Sequence, residues 1–116
     1  MKKTIILLSC LMGTIAYAAI ELKTLDEIQK YTGDVIDSAT ITAELAGTKD
    51  KPVSLDKNFK NCTFEKKLTW VTFNKNVEIS WFKGGYDNVK IIGTASGLSA
   101  GQNKTGVAVT NTKMLP

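Results

Sequence analysis

Residues 68–82 read LTWVTFNKNVEISWF, two runs of β-branched and aromatic residues on either side of Asn74-Lys75-Asn76. Such runs favour strands, and asparagine tolerates the positive φ of a tight connection. The economical reading is a β-hairpin, which would bring Trp70 and Trp81 close together across the pair. Alternation along a strand sets Trp70 on the face opposite Phe73 and Trp81 on the face opposite Phe82. One member of each pair must then look away from the core.

The same period of two extends outward from this stretch. In residues 38–45, SATITAEL, the apolar Ile41, Ala43 and Leu45 alternate with Thr40, Thr42 and Glu44. Cys62 and Phe64 share a face, and residues 88–95 (NVKIIGTA) and 105–115 (TGVAVTNTKML) supply two late strands. Gly47, Asp50 and Pro52 mark a loop after the first strand, and Lys83-Gly84-Gly85 marks another turn. No internal repeat, linker or low-complexity tract stands out. About five to seven short strands with frequent turn signals predict a mainly β domain, a small antiparallel barrel, with a small β-sandwich as the alternative.

Ahead of the strands, residues 19–34 (AIELKTLDEIQKYTGD) follow a helical period. Thr24 and Glu27 have capping-box spacing, Leu25 and Ile28 fall on one face, and Gly33 is a natural stop. A short helix over about residues 24–32 is expected, with Leu25 and Ile28 on the core.

Segment 1–18, MKKTIILLSCLMGTIAYA, combines two lysines, a short apolar run and a small-x-small ending. This pattern predicts a secretory signal peptide cleaved after Ala18 and a single domain over 19–116, periplasmic or secreted. The competing reading takes Leu7-Leu8-Ser9-Cys10 as a lipobox with Cys10 acylated. The apolar run is shorter than the roughly 20 residues a transmembrane helix requires, and no later stretch approaches that length.

Beyond Ala18 there are 13 lysines and 11 acidic residues, with no arginine and no histidine anywhere in the chain. Residues 21–50 carry seven acids against three lysines, whereas residues 51–116 carry ten lysines against four acids. Lack of arginine removes the usual bidentate reader of guanine and phosphate, which argues against nucleic acid as a partner. Lack of histidine removes the commonest general base, the serine-type triads and most zinc sites. Cys62 has no imidazole to activate it, and Asp34, Asp37 and Glu44 sit in a turn and on a strand edge. No enzyme, cofactor or metal is therefore expected. Cys62 is expected to be a buried thiol, an intermolecular disulfide being the alternative. The segment 93–106, GTASGLSAGQNKTG, has glycines but neither P-loop spacing nor a following helix, so phosphate capture is not implied.

A signal peptide, a short helix, the strand TITAELAG (40–47) and the late pair VKIIGTASG (89–97) and GVAVTNTKML (106–115) resemble the periplasmic bacterial OB-fold family, including its tRNA-anti-like members. Val89, Ile91 and Gly93 match the family's V-x-V-x-G strand, with Val107 and Val109 on the strand after it. The resemblance implies an OB-like antiparallel barrel with one N-terminal helix. The expected function is a non-enzymatic exported binding module that meets a protein or glycan of the bacterial envelope through a barrel face. Trp81, Phe82, Lys83, Tyr86 and Lys90, in and beside the aromatic turn SWFKGGYDN (80–88), are the candidate binding residues. The alternatives are a subunit, inhibitor or exclusion protein of a secretion or conjugation apparatus, or a toxin-like OB-fold binding subunit, with homo-oligomers a natural form for these.

Overall fold

The computed structural model describes residues 20–101 and 104–110, the second segment by its backbone. The expected leader, its cleavage site and Cys10 lie outside the described residues. Among the described residues thirteen short strands form three sheets in which every pairing is parallel. Sheet A contains β1 (Ile20–Leu22), β3 (Ala39–Ile41), β6 (Thr63–Phe64), β9 (Trp81–Phe82) and β12 (Ser99–Ala100). Sheet B stacks β2 (Val35–Asp37), β5 (Asn58–Lys60), β8 (Val77–Glu78) and β11 (Ala95–Ser96). Sheet C stacks β4 (Val53–Leu55), β7 (Leu68–Phe73), β10 (Tyr86–Ile91) and β13 (Lys104–Thr110). From β3 onward the chain visits A, then C, then B, and returns to A one level higher. The result is a β-solenoid of about four turns.

This overturns both the antiparallel barrel and the sandwich, and with them the resemblance to the OB-fold family. Consecutive strands of an antiparallel meander pair with each other, whereas here consecutive strands belong to different walls. The expected hairpin at 68–82 fails for that reason. Its first run, β7, lies in sheet C, and its second divides between β8 in sheet B and β9 in sheet A. Trp70 and Trp81 are consequently on different walls. The partners of each strand lie one coil away; β4 to β9 each meet the next coil at an i, i+18 offset, as in Leu68 with Tyr86, Val53 with Val71 and Val71 with Val89, Phe64 with Phe82, whereas β1 meets β3 at i, i+19 and β2 and β3 meet β5 and β6 at i, i+23. The chain therefore does carry a repeat. It is a repeat of side-chain character, since residues 61–78 and 79–96 are identical only at Phe64/Phe82 and Val71/Val89.

Corners explain why the chain bends into the next wall instead of folding back. Asn58 and Asn76 occupy the same corner in successive coils. The Asn76 amide N–H donates to Asn58 Oδ1 at 3.0 Å, and the Thr94 amide N–H donates to Asn76 Oδ1 at 2.8 Å. Asn58 Nδ2 donates in turn to the Asp34 carbonyl at 3.1 Å. These side chains satisfy the backbone donors that a corner leaves without strand partners. Neither Asn74 nor Asn76 has the positive φ a tight hairpin would have demanded of them. Asn74 Nδ2 instead donates to Ser54 Oγ and Asp56 Oδ1, tying its coil to the one below.

The corner between sheets B and A repeats a different device. Ser38, Asn61, Ile79 and Gly97 stand one above another with φ of 61°, 55°, 49° and 61°. Glycine and asparagine accept this left-handed conformation, whereas a β-branched residue is strained there. Ile79 is 57% exposed, so little burial compensates it. Ile79→Asn, copying the residue one coil below, is expected to stabilise the fold by about 1 kcal/mol. Urea unfolding would check this, and a lowered midpoint would mean the corner is not strained.

Three inward faces meet in one core. Ile41, Phe64 and Phe82 line it from sheet A, Leu55, Phe73 and Ile91 from sheet C, and Ile36, Phe59 and Val77 from sheet B, each at most 1% exposed. All four phenylalanines of the chain touch here. Phe64 lies 5.3 Å from Phe59 and 5.5 Å from both Phe73 and Phe82, between ring centroids. Each such ring contributes about 1.5–3 kcal/mol of hydrophobic stabilisation, and tilted ring pairs add about 0.5–1.5 kcal/mol. The expected alternation holds, with Ile41, Ala43 and Leu45 buried, Cys62 and Phe64 buried together, and Phe73 and Phe82 inward.

In the first coil a helix, α1 (Leu25–Gln29), lies between β1 and β2, the place at which later coils carry their sheet C strand. The Glu27 N–H donates to Thr24 Oγ1 at 3.1 Å, and Glu27 Oε1 accepts from the Lys23 N–H at 2.7 Å. The helix ends at Gln29, before the expected Thr32, and Gly33 has φ 105° in the connection that follows. Ile28 is fully buried and Leu25 packs beside the core, so α1 closes the apolar interior at this end.

Candidate functional site

The i, i+18 offset has one large departure. Ala46 bridges Thr69, at i+23, while Val53 pairs with Val71, at i+18. The segment Gly47 to Lys51 is thus an insertion in the second coil, at the threshold of sheet C. The insertion is tied down at its base and at its tip. The Gly47 N–H donates to the Thr69 carbonyl at 2.7 Å, and Thr48 and Lys51 exchange backbone hydrogen bonds of 3.2 Å. A Cβ on Gly47 would lie 2.6 Å from the Val53 nitrogen and 2.8 Å from the Trp70 carbonyl oxygen. Only glycine lets the loop approach the neighbouring strand this closely.

The later coils are irregular at this same level. Trp70 has φ 49° and Asn88, its equivalent one coil on, has φ 65°. This bulge-like step breaks the alternation of β7 and β10, so Leu68, Val71 and Phe73 all point inward and Thr69 and Trp70 both look out. The β10–β13 register also shifts between Asp87 and Val89. Loop, Trp70 and Asn88 together bound a groove on the outside of sheet C, about 320 Å³ in volume, lined by Lys49, Pro52, Trp70, Thr72, Asn88, Val89 and Lys90. The half-buried indole supplies a flat apolar wall, and the two exposed lysines supply positive charge. No carboxylate lines the groove, and among the described residues neither lysine forms an ion pair.

The five residues expected to form one binding face are divided by the solenoid. Phe82 is 0% and Tyr86 6% exposed, both core residues. Trp81 and Lys83 look outward from sheet A, and Lys90 looks outward from sheet C, where it joins the groove. Trp81 is 43% exposed, yet Lys83 Nζ stands 5.4 Å from its ring centroid and also 3.4 Å from Glu65 Oε1. A cation from the same chain already occupies that indole, so Trp81 is a poorer platform than Trp70. The sequence reading missed Lys49, Pro52 and Asn88. Their signal was the excess of the 46–69 separation over the i, i+18 offset, legible only once the repeat is known.

Two other places bear on chemistry. Cys62 is 1% exposed, and its S–H lies within reach of the Ile36 and Lys60 carbonyls at 3.2 and 3.3 Å. Burial pushes its pKa above the usual thiol value despite neighbouring backbone hydrogen bonds, so the thiol is neutral and shielded from a second chain. On sheet B, Asp37, Lys60 and Glu78 stand in register on the outer face. Hydrogen bonds from Ser38 and Asn61, helped by the Lys60 charge, hold the Asp37 carboxyl below the ordinary aspartate range. No three His, Cys, Asp or Glu side chains among the described residues are grouped to hold a metal ion. No helix among them is long and apolar enough to cross a membrane.

Comparison of the chain with protein-family models, with curated proteins and with solved structures finds no match.

Proposed function

We propose that this chain is an exported binding module that holds a short segment of an acidic glycan in the sheet C groove, without chemistry of its own. The observation that carries the reading is the insertion 47–51, which brings Lys49 into one groove with Pro52, Trp70 and Lys90. An indole wall suits the apolar face of a sugar ring, and two ammonium groups lining the same groove suit carboxylates. The volume is at the small end for ligand sites, which fits one short stretch of a polymer and not a whole small molecule enclosed. Lysine in place of arginine favours point-charge attraction over bidentate phosphate recognition.

The test is a fluorescence titration of the Trp81→Phe protein, in which Trp70 is the sole indole. An oligouronate is expected to change its emission, and a neutral oligosaccharide of equal length is not. Lys49→Gln with Lys90→Gln is expected to weaken binding at least tenfold, about 1.4 kcal/mol. Added salt should weaken the wild-type interaction as well. Equal binding of neutral and acidic sugars, or indifference to the lysine changes, would remove the reading. A sulfated oligosaccharide in parallel separates carboxylate recognition from general attraction to anions.

A further inference from the structure

Three residues of the groove form one column up the outside of sheet C. Val53 pairs with Val71 and Val71 with Val89, so Pro52, Trp70 and Asn88, each one residue earlier, take the same level in successive coils, about 4.8 Å apart along the axis. Pro52 is exposed and Trp70 half-buried, and together they make an apolar ledge in the groove. Asn88 ends that ledge with a primary amide. Lys90, which pairs with Thr72, stands two residues beyond Asn88, roughly 6 Å along the strand.

The amide has a fixed sense. Its Nδ2 donates to Asp87 Oδ1 at 2.7 Å, and a carboxylate oxygen takes its hydrogen bond from the nitrogen of an amide, not from the oxygen. The planar group therefore holds Oδ1 away from Asp87, and among the described residues no donor reaches that oxygen. Asn88 lines the groove and Asp87 does not. The backbone at Asn88 has φ 65°, which asparagine adopts with little strain. The groove thus offers a hydrogen-bond acceptor at the top of an apolar ledge, with an ammonium group on the scale of one sugar unit away.

We propose that the glycan held here is one in which carboxylate-bearing sugars adjoin N-acetylated ones. The Asn88 amide oxygen accepts from the acetamido N–H of the ring that rests on Trp70 and Pro52, and Lys90 meets the carboxylate of the neighbouring sugar. This rests on the groove being an acidic-glycan site, and it narrows the ligand. Lysines and an indole alone do not tell one acidic glycan from another. A sugar hydroxyl turns freely and keeps water as its partner in an open groove, whereas an acetamido N–H is fixed by the planarity of its amide and brings a methyl group to the ledge.

Two tetrasaccharides of equal charge test it, one alternating hexuronate with N-acetylhexosamine and the other alternating hexuronate with plain hexose. Each is titrated against the Trp81→Phe protein with Trp70 emission as the readout. The acetamido form is expected to bind about threefold to tenfold more tightly, the worth of one added neutral hydrogen bond. Asn88→Gly in the same background keeps the left-handed backbone available and removes the acceptor. With the circular dichroism of the parent, it is expected to lose most of that preference while still binding oligouronate. Equal affinity of the parent protein for the two tetrasaccharides, or an undiminished preference in the folded Asn88→Gly protein, would overturn this proposal and leave the acidic-glycan reading standing. Failure of oligouronate and both tetrasaccharides to bind would remove the two together.

Discussion

Phe64→Ala is expected to cost about 3–5 kcal/mol. The ring is completely buried and makes three ring contacts, reaching Phe59 on sheet B, Phe73 on sheet C and Phe82 one coil above it on sheet A. Truncation removes the transfer energy of the ring and leaves a cavity that three rigid walls cannot collapse to fill. Domains are stable by about 5–15 kcal/mol, so the change consumes a large fraction of the total. The site is in a middle coil, and stacked coils depend on their neighbours, so the damage is transmitted both ways along the axis. Phe64→Leu, which keeps most of the volume, should lose markedly less. Urea titration followed by circular dichroism would measure both, and a loss below about 1 kcal/mol for the alanine variant would contradict a core centred on this ring.

Removing the insertion 47–51 is expected to leave the fold intact and to abolish oligouronate binding. Without it the second coil would keep the same i, i+18 offset as the third and fourth. Pro52 would then follow Ala46 directly, at the level where Trp70 and Asn88 adopt positive φ, a conformation proline cannot take. The deletion is therefore combined with Pro52→Asn. Shortening a surface connection this slightly changes loop-closure entropy by only a few tenths of a kcal/mol to about 1 kcal/mol, so the melting temperature should move little. Affinity should fall well beyond the tenfold expected for the lysine changes, because Lys49, Pro52 and one wall of the groove are gone. A deletion variant that folds and still binds oligouronate would place the ligand elsewhere.

These two expectations rest on features that stood at different distances from the sequence. That Phe64 faces a core followed from its alternation with Thr63 and Glu65, and similar local patterns gave the Thr24–Glu27 cap, buried Ile28, and the opposed faces of Trp70 and Phe73. The groove was not legible. Lys49 and Pro52 read as an ordinary turn, and Lys90 is remote in the chain from both.

Period, composition and caps are local properties. They determined that the described residues would form short strands with one inward face and a short helix capped by Thr24. Which strand pairs with which is decided by contacts between positions i and i+18, and two identities in an aligned pair of coils are too few to announce them. Asn74-Lys75-Asn76 suits a hairpin as well as a corner, because asparagine can supply either positive φ or a side-chain oxygen for a backbone donor. Only the stacked coils, with Asn58 below Asn76 and Thr94 above it, select the second use. The tertiary structure likewise decided the meaning of the charges. The unequal halves of the sequence become the two ends of an axis because a solenoid preserves chain order in space, which a closed barrel of interleaved strands would not.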